Sequence, residues 1–482
     1  MKTKIYRFKL LINLILISLV YFFDFIISKP DITIPISSAI IAAQTFEITK
    51  PGYYILLANV FINKNRNDPL IKISSSDVII DFNAYGIINY TNNLNSNFDG
   101  IIINDNYENI SILNGYINNI NGTGIIIKPN SKNIFIKNLF LSNCKSLAIK
   151  ADNISNLQIK QIEILNMNDT NKATGIEINN SKEIFISKTK INSITANQLT
   201  NGLSLINCKN GKLKLIKINN QSADESYGIN LSNCNNFFLD KISINNINSI
   251  NKNAIGLFIN TSNNITIENS KLFNITTIND KAIGISLENS NNNYLKNNQA
   301  FNNKSFLNGE VYGFRSLNGL ANSFFECESF NNSTDLKSTE NILVTGIALE
   351  GLEQNSIISK CKIFNNISEK GKTFGIKLGS KDDNNLVTNC KVAENLIDLN
   401  FGFLEQYGIK DFSEASTNIF LKNQATGQGR SLGNDINTKK GNFYWIAKDF
   451  DKKMSNTVFE IDKDFLKILR TTTYPYDNIS IN

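Results

Sequence analysis

Histidine is absent from all 482 residues. Its absence removes the commonest general base and metal ligand, so Ser-His-Asp, Cys-His and histidine-ligated metal chemistry are excluded. Arginine is confined to Arg7, Arg66, Arg315, Arg430 and Arg470, and tryptophan to Trp445. Lysine therefore carries nearly all the positive charge behind the net +7, from 49 basic and 42 acidic residues. No run of like charge is long enough to make a nucleic-acid tail. The six cysteines contain no CxxC pair, which argues against zinc bound by thiolates. What is abundant is asparagine, isoleucine and lysine, a bias that an AT-rich genome also produces. The apolar fraction of 41% can fill a large core. The length suits two or three domains or one elongated repeat array.

The N-terminus carries Lys2, Lys4, Arg7 and Lys9 ahead of an apolar run from Leu10 to Phe23. This is the pattern of a secretory signal, and residues 1–28 are expected to be a signal peptide or an N-terminal membrane anchor. Export follows, to the medium or the cell surface, with no other membrane segment expected.

An internal repeat dominates the rest. Glycine, alternating apolar residues, an Asn/Ser turn and renewed alternation recur from Gly100, Gly124, Gly175, Gly202, Gly228, Gly256, Gly284, Gly346 and Gly375. Weaker copies start at Leu147, Gly313 and Gly408. Within each unit the period is two, as in GKLKLIKI, where Lys212 and Lys214 alternate with Leu213 and Leu215. No unit holds a run long enough for a crossover helix. Short strands joined only by turns can pair coil upon coil, with right-handed connections. The expectation is an all-β, right-handed parallel β-helix over residues 76–437. About twelve coils at roughly 4.8 Å each would make a rod near 55–60 Å long. Residues 29–75 are expected to be an N-terminal cap and 438–482 a C-terminal cap, with Trp445 over the last coil.

These repeats resemble those of the pectate-lyase-like superfamily. So does the segment 51–88, in which Gly52, Tyr54, Leu56, Val78, Asp81, Asn83 and Ile87 fit the leading strands of exported members, with Ala84 in place of the usual glycine. The likeness spans roughly residues 45–437. It implies the fold and not the activity, because the same rod carries lyases, hydrolases, epimerases, adhesins and tailspikes.

Asparagine tolerates left-handed backbone and can bond coil to coil. Asn109, Asn133, Asn156, Asn236, Asn264, Asn292, Asn322 and Asn355 share one register and predict a ladder. The cysteines fall into register too, as Cys208 with Cys234 and as Cys327, Cys361 and Cys390, while Cys144 stands apart. Neighbouring coils would bring such pairs within disulfide reach, yet three in one column cannot all pair. Buried, stacked thiols are the simpler reading.

The resemblance also says which chemistry to look for. Polygalacturonase-like hydrolases imply paired aspartates, and Asp382–Asp383 is the only adjacent pair; without a histidine it reads better as a turn. Pectate lyases imply an arginine base with Ca²⁺-binding carboxylates, for which Arg315 is the one arginine in a well-formed coil. Epimerase-type histidine motifs cannot exist here. Carboxylates also recur in the variable segment closing each coil, among them Glu310, Asp335, Glu340, Glu369, Asp398 and Glu405. That edge is a candidate recognition face for a polysaccharide or surface glycan, with Ca²⁺ as a possible participant. Three functions stay open: an exported recognition protein, a lyase or hydrolase with a histidine-free site, and a structural envelope rod.

Overall fold

In the computed structural model the described residues are 33–426, except 91–96, 308, 336–341, 369–370, 394, 398–405, 413–417 and 422. The signal or anchor at 1–28 and the C-terminal cap at 438–482, with Trp445, lie outside them. The chain forms a parallel β-solenoid. One sheet of 14 strands, sheet I, takes one strand from each coil. A second sheet of 28 strands, sheet II, takes the rest. A coil reads as Ala254–Asn260 in sheet I, then Asn263–Glu268 and Lys271–Thr277 in sheet II. In the coils from Glu108 to Ala223 the two sheet II strands fuse into bent strands such as Lys182–Ala196. The parallel ladders begin at Thr33 and Phe46, within the segment expected as a cap. A short helix, Ser38–Ala43, packs beside that end through Ile41. No helix among the described residues is long and apolar enough to cross a membrane.

Register stacks like on like. Ile103, Ile127, Ala151, Ile178, Leu205 and Leu231 follow one another up one column, all fully buried. Each buried aliphatic side chain contributes about 1.5–3 kcal/mol, so the column is the main favourable term. The repeated glycine is required by close approach and not by its own φ. A Cβ on Gly256 would lie 2.7 Å from the carbonyl oxygen of Gly284, and one on Gly228 would lie 2.5 Å from that of Gly256.

Asparagine marks the corners. In the regular coils the chain turns through left-handed residues spaced by three, five and five positions, as in Asn130, Asn133, Asn138 and Asn143, or Asn289, Asn292, Asn297 and Asn302. Their amides bond along the rod: Asn133 Nδ2 donates to Asn109 Oδ1 at 2.9 Å and Asn156 Nδ2 to Asn133 Oδ1 at 2.9 Å. Asn322 does not belong to this column. Ala321 takes the left-handed corner there, and Asn322 points into the core. Leu215 likewise departs from simple alternation: it sits at a corner with φ 57° and is exposed, because each left-handed residue shifts the strand phase by one.

The residue after a corner points inward. This rule gathers the thiols, with Cys144, Cys208 and Cys327 each following a corner residue. All six thiols are buried and free. It also builds an interior amide ladder. The Asn303 N–H donates to Asn332 Oδ1 at 3.1 Å, that of Asn332 to Asn366 Oδ1 at 3.3 Å, and that of Asn366 to Asn395 Oδ1 at 3.2 Å. These buried amides satisfy backbone groups that the turn has withdrawn from the sheet.

Candidate functional site on the outer face of sheet I

On sheet I, Ile176, Ile178, Leu203 and Leu205 fill the core, so Glu177 and Ser204 between them face outward. The same column continues through Asn230, Phe258, Ser286, Arg315, Ala348 and Lys377. Beside it runs a second column holding Thr174, Asn201, Tyr227 and Tyr312.

The face has two halves. In the C-terminal half charges converge from four successive coils. Arg315 Nη1 donates to Glu288 Oε1 at 3.0 Å and Nε to Glu350 Oε2 at 2.9 Å, while Lys377 Nζ lies 2.5 Å from Glu350 Oε1. The guanidinium stands 5.4 Å from the centre of the Tyr312 ring, and Tyr312 OH donates to Glu310 Oε2 at 3.0 Å. Burial opposes the Glu350 charge, but Lys377 and Arg315 outweigh it and hold the carboxyl below its ordinary value. Burial also opposes the Arg315 charge, and Tyr312, Glu350 and Glu288 raise it overall. Burial, then Glu350 and Glu310, push the Tyr312 phenol well up. The shifts of Glu350, Arg315 and Tyr312 all run away from neutrality, the opposite of what an acid or base needs. Cations engage both oxygens of Glu350 and one oxygen of Glu288. Among the described residues no three Cys, Asp or Glu side chains group closely enough to hold a metal.

The N-terminal half is polar and under-bonded. Thr174 Oγ1, Asn201 Oδ1 and Ser204 Oγ are buried without a hydrogen-bond partner. Lys172 and Glu177, in the same strand on either side of Thr174, pair with each other at 2.7 Å. The Lys172 side chain is 44% exposed and that of Glu177 only 11%. Next to the polar floor, Tyr227 and Phe258 stack at 5.3 Å.

The other candidates fall as follows. Asp382 and Asp383 diverge: Asp383 is at a turn, bonded to the Asn384 N–H, while Asp382 faces inward and is 1% exposed. Asp382 accepts from the N–H groups of Gly379 and Glu353. Burial raises its pKa to about 7, yet no substrate can reach it there. Glu353 is also buried, and its Oε2 accepts from the Gly319 N–H at 2.6 Å, in space that a Cβ on Gly319 would occupy. On the coil-closing edge, Glu310 pairs with Lys281 at 3.2 Å and Asp335 with Lys304 at 3.3 Å. Glu340, Glu369, Asp398 and Glu405 lie outside the described residues.

Sequence reading missed Glu288, Glu350, Lys377, Thr174, Asn201 and Ser204. A signal for most of them existed. Arg315, Lys377, Glu177 and Ser204 each lie two residues after the coil glycine, and Glu288 and Glu350 four residues after it. Another outward feature is a ladder of Phe273, Phe301, Phe330 and Phe364 on sheet II, with centroids 4.7–4.9 Å apart and planes within 3°. Those rings spend their faces on one another, leaving edges for solvent, so the ladder is no platform for a sugar.

No family model and no curated protein matches this sequence. Solved structures that resemble it include a mutant of the periplasmic alginate epimerase AlgG, at 10% identity over 78% of this chain and 87% of that one, with a TM-score of 0.45. A mutant tailspike protein of E. coli bacteriophage HK620 in complex with pentasaccharide shows 8% identity, coverage of 77% and 72%, and a TM-score of 0.40. DFA-IIIase from Arthrobacter chlorophenolicus, without its lid, shows 9% identity, coverage of 70% and 84%, and a TM-score of 0.38.

Proposed function

We propose that this chain is an exported recognition protein that binds a polysaccharide along the outer face of sheet I. The observation that carries the reading is the polar floor of Thr174, Asn201 and Ser204, whose buried oxygens lack partners. Such atoms cost free energy unless water or a ligand satisfies them, and sugar hydroxyls are suitable donors. Tyr227 and Phe258, a single stacked pair and not a ladder, add a small apolar contact beside that floor. The coil-closing carboxylates Glu310 and Asp335 are a weaker choice for the contact, being neutralised by Lys281 and Lys304.

The lyase or hydrolase reading rests on Arg315 with Glu288 and Glu350. It is disfavoured because those charges are spent on each other.

The test pairs a glycan array with an activity panel. Wild type should bind at least one glycan class, and Asn201→Leu combined with Ser204→Ala should weaken that binding about tenfold or more, the cost of two lost hydrogen bonds. Acidic polysaccharides, with and without Ca²⁺, should yield neither unsaturated-product absorbance nor new reducing ends. Turnover abolished by Arg315→Lys would replace this reading with the enzymatic one. Wild type blank on the array would remove it.

A further inference from the structure

Charge is distributed unevenly along the rod. Residues 132–223 hold thirteen lysines and five acidic residues, an excess of eight, whereas the whole chain nets +7. They form four of the five long strands of sheet II, Lys132–Ser142, Ser155–Asp169, Lys182–Ala196 and Lys209–Ala223, with the sheet I strands between them. In the C-terminal coils Lys252, Lys281, Lys304, Lys360, Lys362 and Lys377 each meet a carboxylate within 4 Å, whereas in the basic coils only Lys172, Lys190 and Lys214 do, among the described residues. In the basic coils Lys132, Lys182, Lys188, Lys209 and Lys217 are exposed, and no described carboxylate pairs with them.

Register concentrates these charges. Lys182 and Lys209 are direct ladder partners, as are Lys137 with Lys160 and Lys190 with Lys217. Ladder partners stand roughly 4.8 Å apart, so like charges sit at close and regular spacing along the axis. That arrangement destabilises the free protein through self-repulsion and favours a bound polyanion. A groove beside the face is lined by Lys132, Lys182 and Lys209 together with the corner asparagines Asn153, Asn180 and Asn207.

We infer that this face, on sheet II and the corner leading into it, binds a linear acidic polysaccharide, carboxylated or sulfated. Charge complementarity identifies a polyanion, and two details select its kind. Single-stranded nucleic acid needs free aromatic faces for its bases. Here Lys160 lies 5.5 Å from the Phe135 ring centre and 5.2 Å from that of Phe185, and Lys212 lies 5.4 Å from that of Phe238, so lysines already occupy ring faces. The face also contains no arginine, the residue that grips phosphate bidentately. Lysine point charges with amide donors suit sugar carboxylates or sulfates. This site is separate from the sheet I floor.

The experiment measures binding of polygalacturonate, heparin, uncharged dextran and single-stranded DNA to the full chain by biolayer interferometry at 50 and 200 mM NaCl. Wild type should bind polygalacturonate or heparin, ignore dextran, prefer the polysaccharide over DNA, and lose at least tenfold in affinity between the two salts. Lys132→Glu, Lys182→Glu and Lys209→Glu together should abolish binding with an unchanged circular dichroism spectrum. The corresponding Gln triple variant, which relieves repulsion and so folds at least as well, should weaken binding tenfold or more. Lys362→Gln, which removes an exposed lysine outside the basic coils, should leave it intact. Wild type that binds neither acidic polymer, a Gln triple variant that binds like wild type, or a preference for DNA would overturn the assignment.

Discussion

At the residue scale, one inward turn of the backbone changes what a carboxylate is. Asp382 and Asp383 are neighbours in sequence, yet Asp382 is buried while Asp383 is part of a polar turn. Burial lifts the Asp382 pKa to about 7, against 3.8 ordinarily, with Glu353 and Glu350 adding to the rise against the opposing hydrogen bonds. The sign follows from linkage. Between pH 4 and pH 7 the folded state holds a proton that the unfolded state has released, so this group's contribution is complete below about pH 4 and is lost as pH rises through about 7. Asp382→Asn should therefore flatten the stability profile. In guanidinium titrations at pH 5 and pH 8, the wild-type midpoint should fall toward pH 8 more steeply than the variant's. Parallel profiles would show Asp382 ionised throughout.

At the scale of the element, the corners decide how strands are joined. A left-handed residue costs most side chains roughly 1–2 kcal/mol, and asparagine offsets part of that with local hydrogen bonds. Its neighbour on the inner side then has to replace a lost ladder bond. Asn332 does so with its Oδ1 toward the Asn303 N–H and its Nδ2 toward Asn366 Oδ1 at 2.7 Å. Asn332→Leu, similar in volume, should strand those groups in a dry interior at about 1–3 kcal/mol each. The thermal midpoint should drop by several degrees, whereas Asn331→Asp at the adjacent exposed corner should change it little. Equal effects at the two sites would mean that the interior ladder is not a stabilising element. The sequence shows asparagine in register but not two kinds of asparagine. Asn322 fell in the wrong group because Ala321 occupies the corner before it.

At the scale of the molecule, each coil contacts mainly its neighbours, so stability approximates a sum of coils and interfaces. Removing one whole coil should be tolerated. Deletion of residues 256–283 joins the Gly228 coil to the Gly284 coil and places Ile229 against Ile285, in the same column that Leu257 now fills. The product should be soluble, retain a β-type circular dichroism spectrum and unfold cooperatively. Deletion of 270–283, half a coil, should aggregate, because it leaves strands with no register to resume. Survival of the half-coil deletion with native cooperativity would show that stacking is not register-locked. The same stacking explains the charge asymmetry. Lys182 and Lys209 are 27 positions apart and look unrelated in a linear scan, but the ladder makes them adjacent.

Much of this protein is legible in one dimension. Alternating apolar residues, a glycine recurring at a near-constant period and turns rich in asparagine point to short strands wound into a solenoid, because equivalent strands one period apart can stack in register and bury the same face. The absence of histidine bounds the chemistry before any coordinates. The sites are a different matter. Whether Arg315 meets Glu288 and Glu350, whether Thr174, Asn201 and Ser204 are left under-bonded, and whether lysines pool on one face depend on which residues stand above one another. That alignment is set by loops of unequal length between coils, so only the folded stack brings together side chains that the chain holds about 30 residues apart.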